Sequence, residues 1–139
     1  MSDDIIGFTG TRHGMSPAQL AWLPSVFLPG TPLHHGGCLG ADAEMHAFAY
    51  ALVPDTDAVT VHPPINPRLR MPYDPRALWL PAKDYLDRDR DIVDASTRLL
   101  ATPDGPRRSG SGTWYTVDYA VSVKCPVLVC YPDGRVEPL

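Results

Sequence analysis

The sequence predicts an α/β fold: one Rossmann-like domain, a parallel sheet of about five strands in the order 3-2-1-4-5, with helices on both faces. Three observations predict it. Short apolar runs alternate with segments of helical period along the whole chain, which is the pattern of βαβ units. Glycine-bearing loops follow several of those runs. The length of 139 residues suits one domain, spanning 1–139.

Residues 5–9 (IIGFT) form an apolar run that ends in Gly10-Thr11-Arg12, and read as a buried strand entering a loop. Ser16-Pro17 then supplies an N-cap and a proline at the first helical position. Leu20, Leu23, Val26 and Phe27 follow at helical spacing, and Pro29-Gly30 stops the helix. Residues 32–35 read as a second, weaker strand. Residues 41–52 read as a helix with Met45, Phe48, Ala49 and Leu52 on one face, ended by Pro54-Asp55. Residues 58–62 (AVTVH) are a third strand.

Residues 63–81 carry many prolines and the arginines Arg68, Arg70 and Arg76. They read as a long irregular surface loop, either a binding loop or lid or a plain insertion. Residues 83–95 are helical, with Tyr85, Leu86, Ile92 and Val93 as core positions. Residues 98–102 (RLLAT) are a fourth strand, and 112–123 the last helix. Residues 126–131 (PVLVCY) are a fifth strand, closed by the turn Pro132-Asp133-Gly134. Right-handed crossovers leave few topologies for this order. The strand order puts a switch point between the first and fourth strands, where ligands of such sheets bind at the carboxyl edge.

Composition narrows the function. Apolar residues are 44% and charged residues 20%, a globular balance. The net charge of −4 disfavours sequence-independent nucleic-acid binding, which shows a basic footprint. Cys38, Cys125 and Cys130 give neither a disulfide framework nor CxxC spacing. The acidic amino terminus is not a signal peptide, and no apolar run reaches membrane-spanning length. A cytoplasmic protein with no membrane partner is expected.

Three loops at strand ends carry the chemistry: GFTGTRHG (7–14), HHGGCLGAD (34–42) and PDGPRRSGSGT (103–113). Glycines let a backbone approach a ligand closely, and helix N-termini favour anions. The candidate ligand- and phosphate-binding residues are therefore Gly10, Thr11, Arg12, Gly36, Gly37, Gly40, Gly110, Ser111, Gly112 and Thr113. Asp42, in the first turn of its helix, is a cap or a contact to a ribose hydroxyl. Arg107 and Arg108 read as loop charge or phosphate donors. His13, His35 and His62 lie at strand ends and border the cleft or make structural hydrogen bonds. Asp42 and His46 are spaced i, i+4, but no third ligand is evident, and no metal or cofactor is assigned. The run Asp87-Arg88-Asp89-Arg90-Asp91 reads as a solvated helix face with local ion pairs. No Ser-His-Asp pattern and no full P-loop signature occurs.

GFTGTR, then HGGCLGAD, then RDRDIVDAS–LLATP–GSGT together resemble the SLOG superfamily. That group includes the Lonely-guy phosphoribohydrolases, the DNA-uptake protein DprA, the YpsA-like proteins and molybdenum-cofactor carriers. The resemblance covers residues 5 to 131 and implies a Rossmann-like sheet that binds nucleotides or nucleotide-derived ligands. Arg88, eight residues before Ser96, looks like the arginine of the hydrolase motif, and Gly112-Thr113 like its phosphate loop. The family's catalytic glutamate has no counterpart among Trp114, Tyr115, Thr116 and Val117; the nearest carboxylate is Asp118, which a helix turns to another side. In this respect the chain more resembles the YpsA-like or phage-encoded branch. The resemblance thus implies a binder of a mononucleotide, ADP-ribose or an NAD-derived signal. The alternatives are a nucleotide N-glycosidic hydrolase with Arg88 and Asp118 as catalytic residues, and a DprA-like nucleic-acid partner. It also implies a homo-oligomer, with Trp22, Trp79, Trp114 and Tyr115 as interface or core residues.

Overall fold

The structure is a computed structural model that describes residues 3–139. Its strands are β1 (Ile6–Gly10), β2 (Leu33–His35), β3 (Val59–Val61), β4 (Leu78–Trp79), β5 (Arg98–Thr102), β6 (Val127–Cys130) and β7 (Val136–Pro138). Its α-helices are α1 (Pro17–Val26), α2 (Ala41–Leu52), α3 (Tyr85–Asp94) and α4 (Gly112–Ser122). One sheet runs β4-β3-β2-β1-β5-β6-β7. Its inner five strands are the five expected, in the expected order. Only β7 is antiparallel to its neighbour.

The count of about five strands is corrected to seven. The two additions are short edge strands. β4 arises inside the segment read as an irregular loop. Its two residues pair with Thr60 and Val61, and the Leu80 amide donates to the Val61 carbonyl at 3.0 Å. β7 returns after the turn at 132–134 and pairs with β6, and its Pro138 is tolerated because an edge strand need not donate on both sides.

The sheet separates two apolar layers. On one face Leu23 and Phe27 from the α1 side and Met45, Ala49 and Tyr50 from α2 pack against Ile6, Phe8, Leu33, Val59 and Val61. On the other, Val93 from α3 and Trp114, Val117 and Ala120 from α4 pack against Leu99, Ala101, Val127 and Val129. Strand β5 feeds both layers, Leu100 one way and Leu99 and Ala101 the other, as a two-residue period requires. Trp114 is core, only 2% exposed, while Trp22 and Trp79 pack half-buried against the first layer.

Helix α1 departs from its apolar pattern. Ser16 and Gln19 form a capping box. Gln19 then turns inward, and Leu20 faces solvent. The Gln19 Nε2 donates to the carbonyls of Pro103 and Cys130, both at 2.8 Å, so one buried amide ties α1 to the ends of β5 and β6. Removing it strands two buried carbonyls. We predict that Gln19→Ala lowers unfolding free energy by about 2–4 kcal/mol in urea melts. Leu20→Ala, at an exposed position, costs less than about 1 kcal/mol. Equal losses would show that the link is not structural.

Candidate functional site

A cleft of about 310 Å³ opens at the carboxyl edge of the sheet, over the switch point between β1 and β5. The end of β1 and the loop after it contribute Gly10, Thr11, Arg12 and His13. The loop after β2 contributes Gly36 and Cys38, and the first turn of α2 contributes Asp42. Helix α3 contributes Tyr85, Arg88, Asp89 and Ile92. The loop after β5 and the start of α4 contribute Asp104, Arg108, Gly110, Ser111, Gly112 and Thr113.

The structure therefore brings together ten of the candidate residues: Gly10, Thr11, Arg12, Gly36, Asp42, Arg88, Gly110, Ser111, Gly112 and Thr113. Gly37 and Gly40 do not line the cleft. Gly37 packs against Val61. Gly40 caps α2 with a φ of +87°, where a Cβ would strike the Thr11 and Arg12 carbonyls, so the position demands glycine for packing. The adjacent Ala41 amide donates to the Thr11 carbonyl at 2.9 Å, which fastens the first two loops together. Asp118 lies outside the cleft on an exposed part of α4, ion-paired to Arg107. The long segment 63–81 supplies only Pro64 and Leu69 to the cleft.

The deep end is built around Arg88. The reading of Asp87–Asp91 as a solvated face is corrected for two of its residues: Arg88 is 9% exposed and Asp89 5%. The reason is helical geometry. Residues 88 and 89 stand three to five positions before Ile92 and Val93, and so share their buried stripe. The Arg88 Nη1 donates to the Gly36 carbonyl at 2.9 Å, and Nη2 to the Cys38 Sγ at 3.2 Å. Asp89 lies 3.8 Å from Nη1. Gly36 permits this arrangement because a Cβ there would collide with Nη1 and sit 2.9 Å from Asp42 Oδ2.

Asp42, expected as a cap or a ribose contact, and Asp89, expected on a solvated face, both bury their carboxyls beside one guanidinium. Burial pushes Asp42 up to about 6, against the lowering effect of Arg88 and of the Cys38 amide, which donates to Oδ2 at 3.2 Å. Burial pushes Asp89 up to about 7, again opposed by Arg88. Asp89 escaped the sequence reading, although its spacing to Ile92 and Val93 was a usable signal. Cys38 beside Arg88 carried no such signal.

The histidines divide. His13 borders the cleft. His35 and His62 are buried, and His62 shares a 2.8 Å hydrogen bond with His34. The Gly37 amide donates to His35 Nδ1 at 3.0 Å, so the His35 proton sits on Nε2 and points at His46 Nδ1, 2.9 Å away. His46 Nε2 then donates to Asp74 Oδ2 at 2.8 Å. Arg76 binds the same carboxylate at 2.8 Å, and these hydrogen bonds hold the Asp74 carboxyl well below the usual range. This chain of hydrogen-bonded imidazoles latches the segment before β4 to α2. His46 is thus spent on His35 and Asp74 rather than paired with Asp42. Among the described residues no three His, Cys, Asp or Glu side chains gather to hold a metal.

No family model, curated protein or solved structure matches the chain.

Two predictions follow from this geometry. Gly36→Ala displaces the Arg88 guanidinium and destabilises the fold by about 1–3 kcal/mol, whereas Gly112→Ala, with open space around it, costs less than about 1 kcal/mol; paired thermal melts decide. The second concerns pH. Asp89 binds its proton more tightly folded than unfolded, so between about pH 4 and 7 the native state holds the extra proton. Stability from this group therefore falls as pH rises through that window. Asp89→Asn removes the fall, stabilising the protein at pH 8 relative to pH 5 by on the order of 2 kcal/mol compared with wild type. An unchanged pH slope would contradict it.

Proposed function

We propose that the cleft binds a nucleotide or nucleotide-derived ligand: a mononucleotide, ADP-ribose or an NAD-derived signal. The observation that carries this reading is the convergence of two glycine turns, Gly10–Arg12 and Gly110–Thr113, across the switch point of a parallel sheet. The second turn opens α4, whose positive end favours a phosphate. A Cβ built on Gly110 or Gly112 meets nothing within 4 Å, so the backbone there is open to close approach. Arg12 stands exposed at the rim and adds positive charge, while Arg108 there is ion-paired to Asp104 at 2.6 Å. A cleft of about 310 Å³ is at the small end of ligand sites and suits a mononucleotide best. The same proposal groups the chain with the SLOG superfamily, on its GFTGTR, HGGCLGAD and GSGT motifs.

A second reading, hydrolysis of a nucleotide N-glycosidic bond, is favoured by one observation. Asp42 and Asp89 are cleft carboxyls whose proton affinities lie near neutrality, which is where a general acid or base works best. In this reading they, rather than Asp118, are the acid–base candidates.

A thermal-shift screen tests the proposal, using AMP, ADP, ATP, NAD, ADP-ribose, cyclic ADP-ribose and a phosphate control. A ligand at a hundred times its Kd stabilises the native state by about 2.7 kcal/mol, so one of these nucleotides raises Tm by several degrees. Gly112→Asp places a carboxylate in open space at the phosphate end and abolishes the shift while the apo Tm stays unchanged. No shift at millimolar nucleotide contradicts the proposal. Release of a free base from the bound nucleotide adds the second reading.

A further inference from the structure

Residues 13–41 contain no Asp, Glu, Lys or Arg, in a chain of which 20% is charged. The same holds for residues 45–54. The fold brings these two stretches together. Helices α1 and α2 lie on one face of the sheet and touch through Phe27 and Phe48, whose rings meet edge to face at 6.2 Å.

Helix α1 has no polar side. Of its two polar side chains, Gln19 is buried, and the Ser25 hydroxyl donates back to the Trp22 carbonyl at 2.6 Å. Pro17, Leu20, Ala21 and Pro24 are exposed along it, and Leu28, just past its end, is 64% exposed. Beyond Glu44, whose carboxylate accepts from the Met15 amide at 2.6 Å, α2 exposes Ala47, Ala51 and Leu52. The helices across the sheet differ: α3 exposes Asp87, Arg90 and Asp94, and α4 exposes Asp118. A helix that is apolar all round belongs in an interior. A continuous surface without charge marks a contact with another molecule.

The chemistry of the face selects its occupant. A nucleic acid or an anionic bilayer needs cations, and none stands on it; the charges just past α2 are Asp55 and Asp57. A charged peptide would bury its charge unpaired. A second copy of this chain meets neither penalty, since the same uncharged surface comes from both sides. The face is also complementary to itself in size. Its α1 side carries Leu20, Pro24 and Leu28, and its α2 side Ala47 and Ala51. A twofold axis sets the α1 ridge of one protomer into the α2 groove of its partner.

We infer that the α1–α2 face is the interface of a twofold homodimer. None of its exposed residues lines the cleft, so the inference is independent of the nucleotide reading.

Sedimentation velocity of the full chain, without nucleotide, tests it from low to high micromolar concentration. The mass rises from 15.2 kDa to twice that value. Leu28→Lys and Ala47→Lys each weaken the dimer by at least about tenfold, because each puts an unpaired charge into the interface. Both positions are exposed in the protomer, so the circular dichroism of each variant stays that of wild type, and either one decides if the other does not fold. Val121→Lys, at an exposed site of α4 across the sheet, leaves the dimer intact. A mass of 15.2 kDa at every concentration overturns the inference, as does an assembly larger than a dimer. A dimer unmoved by both α1–α2 lysines overturns it by placing the interface elsewhere. Dissociation by Val121→Lys overturns it as well.

Discussion

The guanidinium of Arg88 is the group on which the rest of the cleft depends. It reaches from α3 to the loop after β2, donates to the Gly36 carbonyl and to Cys38, and stands beside two buried carboxyls. An arginine so buried requires compensation, because isolated charge in a protein interior is expensive. Here the compensation comes from three elements at once: a backbone carbonyl, Asp42 at the head of α2 and Asp89 on its own helix. Gly36 is the corresponding requirement on the other side, since any side chain would occupy the space of Nη1. One ion therefore sets the spacing of α2, α3 and the β2 loop.

Around this centre the molecule is braced at its base and open at its rim. Gln19 fixes α1 to the ends of β5 and β6. The chain from the Gly37 amide through His35 and His46 to Asp74 fixes the segment before β4. These links pair polar groups on elements distant in sequence, an arrangement that favours a single conformation. By contrast Arg12, His13, Arg108, Gly110 and Gly112 are exposed. A rigid deep end suits recognition by shape and hydrogen bonding. An open rim with Arg12 and the positive end of α4 suits the arrival of an anion.

Much of this was legible in the sequence, and the exceptions have physical causes. The five inner strands and four helices could be read because apolar runs alternate with segments of helical spacing and turn signals bound them, and the switch point followed from their order. β4 and β7 could not, since β4 lies inside a proline-rich segment and β7 carries Glu137 and Pro138 in three residues, so both exist only through their neighbours. Ten of the candidate site residues meet in the cleft because loops at strand ends must converge where the sheet reverses order. Gly37 and Gly40 stay out because glycine answers to packing and φ as readily as to ligands. Asp118 stays out because it lies on the outer side of α4. Asp89 was misplaced and Gln19 passed over for one reason: a polar residue on a helix reads as surface until its partners, distant in sequence, are known.

The central claim is that Asp42 and Asp89 share one buried guanidinium. Carbon-13 NMR titration of the two aspartate carboxyls tests it most directly. The account predicts titrations near pH 6 for Asp42 and near pH 7 for Asp89. Two carboxyls titrating near pH 4 would contradict it.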